Sequence, residues 1–268
     1  MKNFNSKKYA AGSFLTALVL ILTIFLSACS NDGKSDMTVN FPQSSVPETS
    51  VADSCETMPS SSENSVTDTG TSKPTAAIME DALFIGDSRT VGLMEYAHID
   101  EADFFCTVGM SVYNIHKKPV SVPNVGKVTL TELLNNKRYG KIYIMLGINE
   151  VGYEFDSTVK KYNELIELIK EKQPSAVIFI QANLHVSKKR SDSDRVVNNT
   201  AINGLNAKLA KLADGKSIFY LDANTIFDDA DGGLSSKKSG DSAHPYAKYY
   251  IEWGNWIISQ TASLIGES

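Results

Sequence analysis

The chain has 268 residues, 42% hydrophobic and 21% charged, which is enough for one sizeable core with residues to spare. Its formal charge of −5 makes it a poor partner for nucleic acid, whose phosphates would repel it. The cysteines Cys29, Cys55 and Cys106 form no CxxC or Cys/His cluster, so neither a structural metal nor any other cofactor is expected.

Lys2, Lys7 and Lys8 precede an apolar run from about Ala10 to Ala28, the charged-then-apolar order of a secretory signal. The run closes on Leu26-Ser27-Ala28-Cys29, small residues before a cysteine, the pattern of a bacterial lipoprotein whose thiol is acylated once residues 1–28 are removed. A plain transmembrane anchor is the alternative, since the run approaches the roughly 20 residues that a bilayer helix needs. Both readings tether the chain to the cell membrane on its extracytoplasmic face. Loss of residues 1–28 removes three lysines and no acid, leaving 23 bases against 31 acids and a charge of −8. Residues 29–77 are rich in Ser, Thr, Pro, Asp and Glu without hydrophobic period, the composition of a flexible stalk. Cys55 lies in that stalk, and whether it pairs with Cys106 stays open.

From residue 78 to 268 the pattern becomes that of a single folded domain. Apolar runs at 82–86, 103–108, 141–146, 176–182 and 217–222 read as strands buried on both faces. Helices are predicted between and after them, at Thr90–Ala97, Thr129–Asn136, Ser157–Lys172, Asp194–Ala213 and Pro245–Leu264. In the third, Tyr162, Leu165, Ile166 and Ile169 recur at helical spacing, and Pro174 ends it. Such alternation predicts a parallel sheet of the doubly wound type, with ligands bound beyond the carboxyl ends of the strands.

The residues after each run are therefore the candidates. Ser88, in Gly86-Asp87-Ser88, either holds up a nucleophilic hydroxyl or caps the helix that follows. Gly109 allows close approach of its N–H to a ligand, or an ordinary turn. Asn149, in "LGINEVG", can donate to a developing oxyanion or bond its own loop. Ahead of the last helix, "GDSAHPY" places Asp241 three residues before His244, so that a carboxylate can fix the tautomer of a general base. His98, His116 and His185 have no comparable acid before a helix and are read as surface or packing residues, His185 least firmly because it also follows a strand.

In that order these segments resemble the SGNH family of hydrolases, also called GDSL esterases and lipases, over about residues 80–265. The resemblance implies a flavodoxin-like three-layer α/β/α sandwich with a five-stranded parallel sheet. It implies Ser88 as nucleophile, His244 as base and Asp241 as its orienter, with an oxyanion hole of the Ser88 and Gly109 N–H groups and the Asn149 side chain. Two letters depart from the pattern: Arg89 stands where the family name has leucine, and Glu150 follows Asn149 where aspartate is usual. Arg89 is read either as a contact for an anionic group on the substrate or as the partner of Glu150 or another acid.

The expected activity is hydrolysis or transfer of small acyl groups such as acetyl, on cell-wall or environmental carbohydrate. A lipase or thioesterase acting on lipid acyl esters is the second reading, and a non-catalytic surface module that binds glycans is the third. Tyr113, Tyr153 and Tyr246 adjoin the candidate blocks and either stack on sugar rings or pack. Trp253, Trp256, Tyr249 and Tyr250 are read as packing the last helix onto the sheet.

Overall fold

The computed structural model describes residues 77–266. The expected signal peptide, the lipidation site Cys29, the stalk up to residue 76 and Cys55 lie outside the described residues. Among the described residues no helix is long and apolar enough to cross a membrane.

The elements run β1 (Ala82–Gly86), α1 (Ser88–Tyr96), β2 (Asp103–Cys106), β3 (Val120–Val122), β4 (Gly126–Val128), α2 (Leu130–Asn136), β5 (Lys141–Met145), α3 (Phe155–Lys172), β6 (Val177–Gln181), α4 (Lys188–Ser193), α5 (Asn199–Leu209), β7 (Ile218–Leu221), α6 (Asn224–Phe227) and α7 (Ala247–Gly266). Five strands form one parallel sheet in the order β2-β1-β5-β6-β7, while β3 and β4 make a separate antiparallel hairpin. This is the flavodoxin-like order, whose switch point falls between β1 and β5.

Side chains of a strand alternate between faces, so an unbroken apolar run implies cover on both sides. One face carries Leu83, Ile85, Ile142, Ile144, Ile178 and Ile180, packed under α2, α3 and α5 through Leu133, Ile166 and Leu205. The other carries a row of aromatic rings from all five strands, Phe104, Phe84, Tyr143, Phe179 and Phe219, stacked in sequence with centroids 4.4 to 5.7 Å apart. Trp253, Tyr250 and Ile257 of α7 and Leu93 of α1 close over that row. The expected three-layer sandwich is therefore the observed fold.

Three differences from the sequence reading have local causes. The helix expected over 194–213 starts only at Asn199, and a short helix α4 not expected from the sequence precedes it: Asp194 closes α4 and its carboxylate accepts the N–H groups of Val196 and Val197, after which Asn198 caps α5. The hairpin β3–β4 was not expected, because its three-residue strands are too short to show alternation. The last helix begins at Ala247 rather than Pro245, since Pro245 is held in a bridge to Ser239.

Candidate active site

The site is built at the carboxyl ends of β1 and β5. Gly86 ends β1 where α1 folds back closely: a Cβ there would run into the Thr90 side chain and stand 2.8 Å from the Met145 carbonyl. Asp87, not Ser88, is the N-cap of α1, its carboxylate accepting the Arg89 N–H at 3.0 Å. With the cap supplied by Asp87, the Ser88 hydroxyl is released from the choice posed by the sequence. It lies 2.9 Å from His244 Nε2.

The loop before α7 presents His244. Asp241 Oδ1 accepts the N–H groups of Ala243 and His244 at 2.8 and 2.7 Å, and Oδ2 stands 2.6 Å from His244 Nδ1. A carboxylate can only accept, so Nδ1 carries the proton; in the neutral ring Nε2 is then left to accept from Ser88. Burial pushes the Asp241 carboxyl up, but hydrogen bonds from the His244 backbone, the His244 ring and the Ala243 backbone outweigh it and hold the group well below the usual carboxylate range. Asp241 therefore stays ionised as the ring's fixed acceptor.

The other expected donors lie on two segments stitched together. Asn149, in the 3₁₀ turn Ile148–Glu150 after β5, donates one Nδ2 hydrogen to Met110 O at 2.9 Å. In return, Glu150 Oε1 accepts the Val112 N–H at 2.7 Å. Gly109 sits on that partner loop, exposed, with φ of +75°; a Cβ there would meet nothing within 4 Å, so conformation rather than space asks for glycine. Burial raises the Glu150 carboxyl to about 7, against the pull of backbone N–H groups of Val112, Gly147 and Asn149.

Arg89 does not pair with Glu150. It is 1% exposed, and its Nε and Nη2 both donate to Ala243 O, at 3.2 and 3.1 Å, clamping the residue before His244. Ser187 N–H holds the adjoining Ser242 O at 2.9 Å. The His244 loop is thus fixed from two sides by contacts that span more than fifty residues of sequence. Tyr113 and Tyr153 stack on each other at 5.2 Å, and Tyr113 shares a hydrogen bond with Thr158. Tyr246 is exposed, while Tyr250 and Trp253 are buried in the α1–α7 contact.

A cleft of about 150 Å³ opens beside Ser88 and His244, walled by Arg89, Ile148, Asn149, Val186, Arg190, Val197 and Ala243. Neither Gly109 nor the two stacked tyrosines line it. Val186, Arg190 and Val197 were not singled out in the sequence. The strand-end rule reaches Val186, just beyond β6, but not residues on the following helix and turn.

The sequence profile of the GDSL-like lipase/acylhydrolase family matches residues 84–250, and the chain belongs to that family of hydrolases. No curated protein matches it in sequence. Among solved structures, it is similar to a Streptococcus pneumonia protein provisionally described as a platelet activating factor (18% identity, 69% of this chain and 83% of that one, TM-score 0.52). It is also similar to a protein from Bacteroides fragilis provisionally described as an acylhydrolase (17%, 67% and 86%, TM-score 0.51) and to a GDSL-like lipase from Bacteroides thetaiotaomicron (17%, 68% and 89%, TM-score 0.51). At these identities the likeness is one of fold.

Proposed function

We propose that the chain is a serine esterase that removes or transfers short acyl groups, acetyl above all, on cell-wall or environmental carbohydrate. The observation that carries this reading is the continuous hydrogen-bonded chain Ser88–His244–Asp241 at the mouth of the cleft. His244 takes the Ser88 proton as the hydroxyl oxygen attacks the ester carbonyl. The Ser88 N–H and the second Nδ2 hydrogen of Asn149, both at the cleft, hold the tetrahedral oxyanion, with the Gly109 N–H of the adjoining loop as the third donor that the family resemblance implies. Collapse expels the alcohol, which receives the proton from His244, and leaves an acyl-Ser88; water or another alcohol then takes the acyl group with His244 again as base.

The preference for a short acyl group rests on the cleft, whose volume of about 150 Å³ is below the ~300 Å³ at which pockets for drug-sized ligands begin. The preference for carbohydrate rests on the lipoprotein-like N-terminus, which would put the domain outside the membrane among cell-wall and imported glycans. The test is acetate release from acetylated cell-wall and plant polysaccharides, and hydrolysis of p-nitrophenyl acetate, by the wild type and by Ser88→Ala. Full activity in Ser88→Ala would overturn the reading. A lipase would instead gain about 0.8 kcal/mol per added CH₂ on going from acetyl to octanoyl esters.

A further inference from the structure

Two guanidinium groups wall the cleft beside Ser88, and neither is held in a tight ion pair. Arg89 spends Nε and Nη2 on a neutral carbonyl, while Nη1 is buried without a hydrogen-bond partner. Among the described residues no carboxylate lies within salt-bridge distance of it. Arg190, on α4, has one acid contact, a long 3.8 Å approach to Asp194, and its side chain is 36% exposed. Burial disfavours the Arg89 charge; the Asp87 carboxylate, and more weakly Asp241, favour it from beyond salt-bridge distance, while Arg190 opposes it. The segment 188–195 carries four bases against two acids in a chain that is acidic overall, and Lys188 already engages Asp192. None of the residues lining the cleft is acidic.

Two like charges held together in a partly desolvated wall disfavour each other, and an anion placed between them and solvent removes the penalty. A guanidinium fork is shaped for the paired oxygens of a carboxylate or phosphate. The larger hollow of about 510 Å³ at the amino ends of the strands also carries one base more than acids, Arg138, whose Nη1 donates to Lys172 O, but it lies away from Ser88 and His244. There Glu171 pairs with Lys172, and both Gln173 amide atoms are hydrogen-bonded.

We propose that the cleft selects esters whose alcohol portion carries an anionic oxygen group, a carboxylate or a phosphate, bound by the reachable fork of Arg190 with the fixed charge of Arg89 behind it. This rests on the acyl-transfer reading of Ser88 and His244 and narrows its substrate to short acyl groups on acidic sugars. Arg190 is then the residue that sets specificity. Arg89 adds charge from within the wall while it positions the His244 loop.

The test uses the full chain and a matched set of ring-acetylated methyl glucosides that differ only at carbon 6, as a methyl ether, a carboxylate or a phosphate. Acetate release from at least one anionic member should exceed the neutral one in kcat/KM by about ten-fold, and which member gains identifies the group. Raising salt from about 0.05 M to about 0.5 M should shrink that advantage, a measurement that needs no variant. Arg190→Gln should bring the ratio close to one, and Arg190→Lys should keep part of it. The ratio is read rather than the absolute rate, because a misfolded variant loses all three substrates together. Equal turnover of the three sugars, or an advantage that survives Arg190→Gln, overturns the inference while leaving the esterase reading standing. If all three sugars and p-nitrophenyl acetate are untouched, the esterase reading itself fails and this inference falls with it.

Discussion

Two histidines at the carboxyl edge of the sheet each hold a carboxylate through Nδ1, His244 with Asp241 at 2.6 Å and His185 with Asp228 at 2.7 Å. The difference lies at the other nitrogen. His244 Nε2 meets the Ser88 hydroxyl, and its side chain is 42% exposed; His185 Nε2 meets Asn203 Oδ1 at 2.8 Å, and its side chain is 10% exposed. Burial pulls the His185 ring down, yet the hydrogen bonds to Asp228 and Asn203 outweigh it and raise it, which favours a fixed imidazolium. In the proposed mechanism a histidine–aspartate pair serves as a base only where its third contact can surrender a proton. With two acceptors it becomes a brace, here for the extended segment of residues 185–187 that supplies Val186 to the cleft and Ser187 to the His244 loop.

The sharpest way to break this comparison is to remove each ring. Ser88→Ala and His244→Ala should lower p-nitrophenyl acetate turnover by roughly 10⁴ or more, whereas His185→Ala in its folded fraction should stay within about ten-fold of wild type. Neutralising the acids separates them the same way: Asp241→Asn should cost about 10⁴ in kcat, and Asp228→Asn far less. Asn149→Ala comes next, with a loss on the order of 10² to 10³ in kcat if its amide meets the oxyanion.

Stability should separate the regions in the opposite sense. The Glu150 carboxyl, raised to about 7 from 4.5, favours the folded state fully below pH 4.5 and loses that contribution as pH rises through 7. Glu150→Gln should therefore be more stable than wild type at pH 8, by up to ~3 kcal/mol as read from thermal unfolding, with the difference gone at pH 4. His185 is raised above 6.5, so its contribution is complete below that pH and fades above its folded value. Asp228→Asn should lower stability by about 1–2 kcal/mol at pH 6 and by less at pH 9, read from thermal unfolding.

Much of this was legible because each strand is buried on both faces, leaving five uninterrupted apolar runs that a parallel sheet requires. The Ser88, Asn149 and Asp241–His244 blocks stood out because the fold puts polar residues at strand ends, and Asp241 lies within three residues of the ring it holds. Contacts across the chain were not legible. Arg89 reads from sequence as a contact for a substrate anion or the partner of an acid, but it turns inward to a carbonyl 154 residues away. Glu150 looked like a loop acid, and only tertiary packing reveals it as the tie to Val112. Asp228 is 43 residues from His185, so no local spacing announced the second pair. Ser88 was weighed as a helix cap, and the cap proved to be the residue before it, because Asp87 reaches the Arg89 N–H.

In the proposed mechanism Ser88 is a nucleophile activated by His244, and His185, though paired alike, plays no part in that activation. Reaction of the folded chain with a fluorophosphonate, followed by peptide mass spectrometry, tests it directly. A single adduct on Ser88 is expected, lost in His244→Ala and retained in His185→Ala. No adduct on Ser88 in the folded wild type, or one that persists undiminished in His244→Ala, would contradict it.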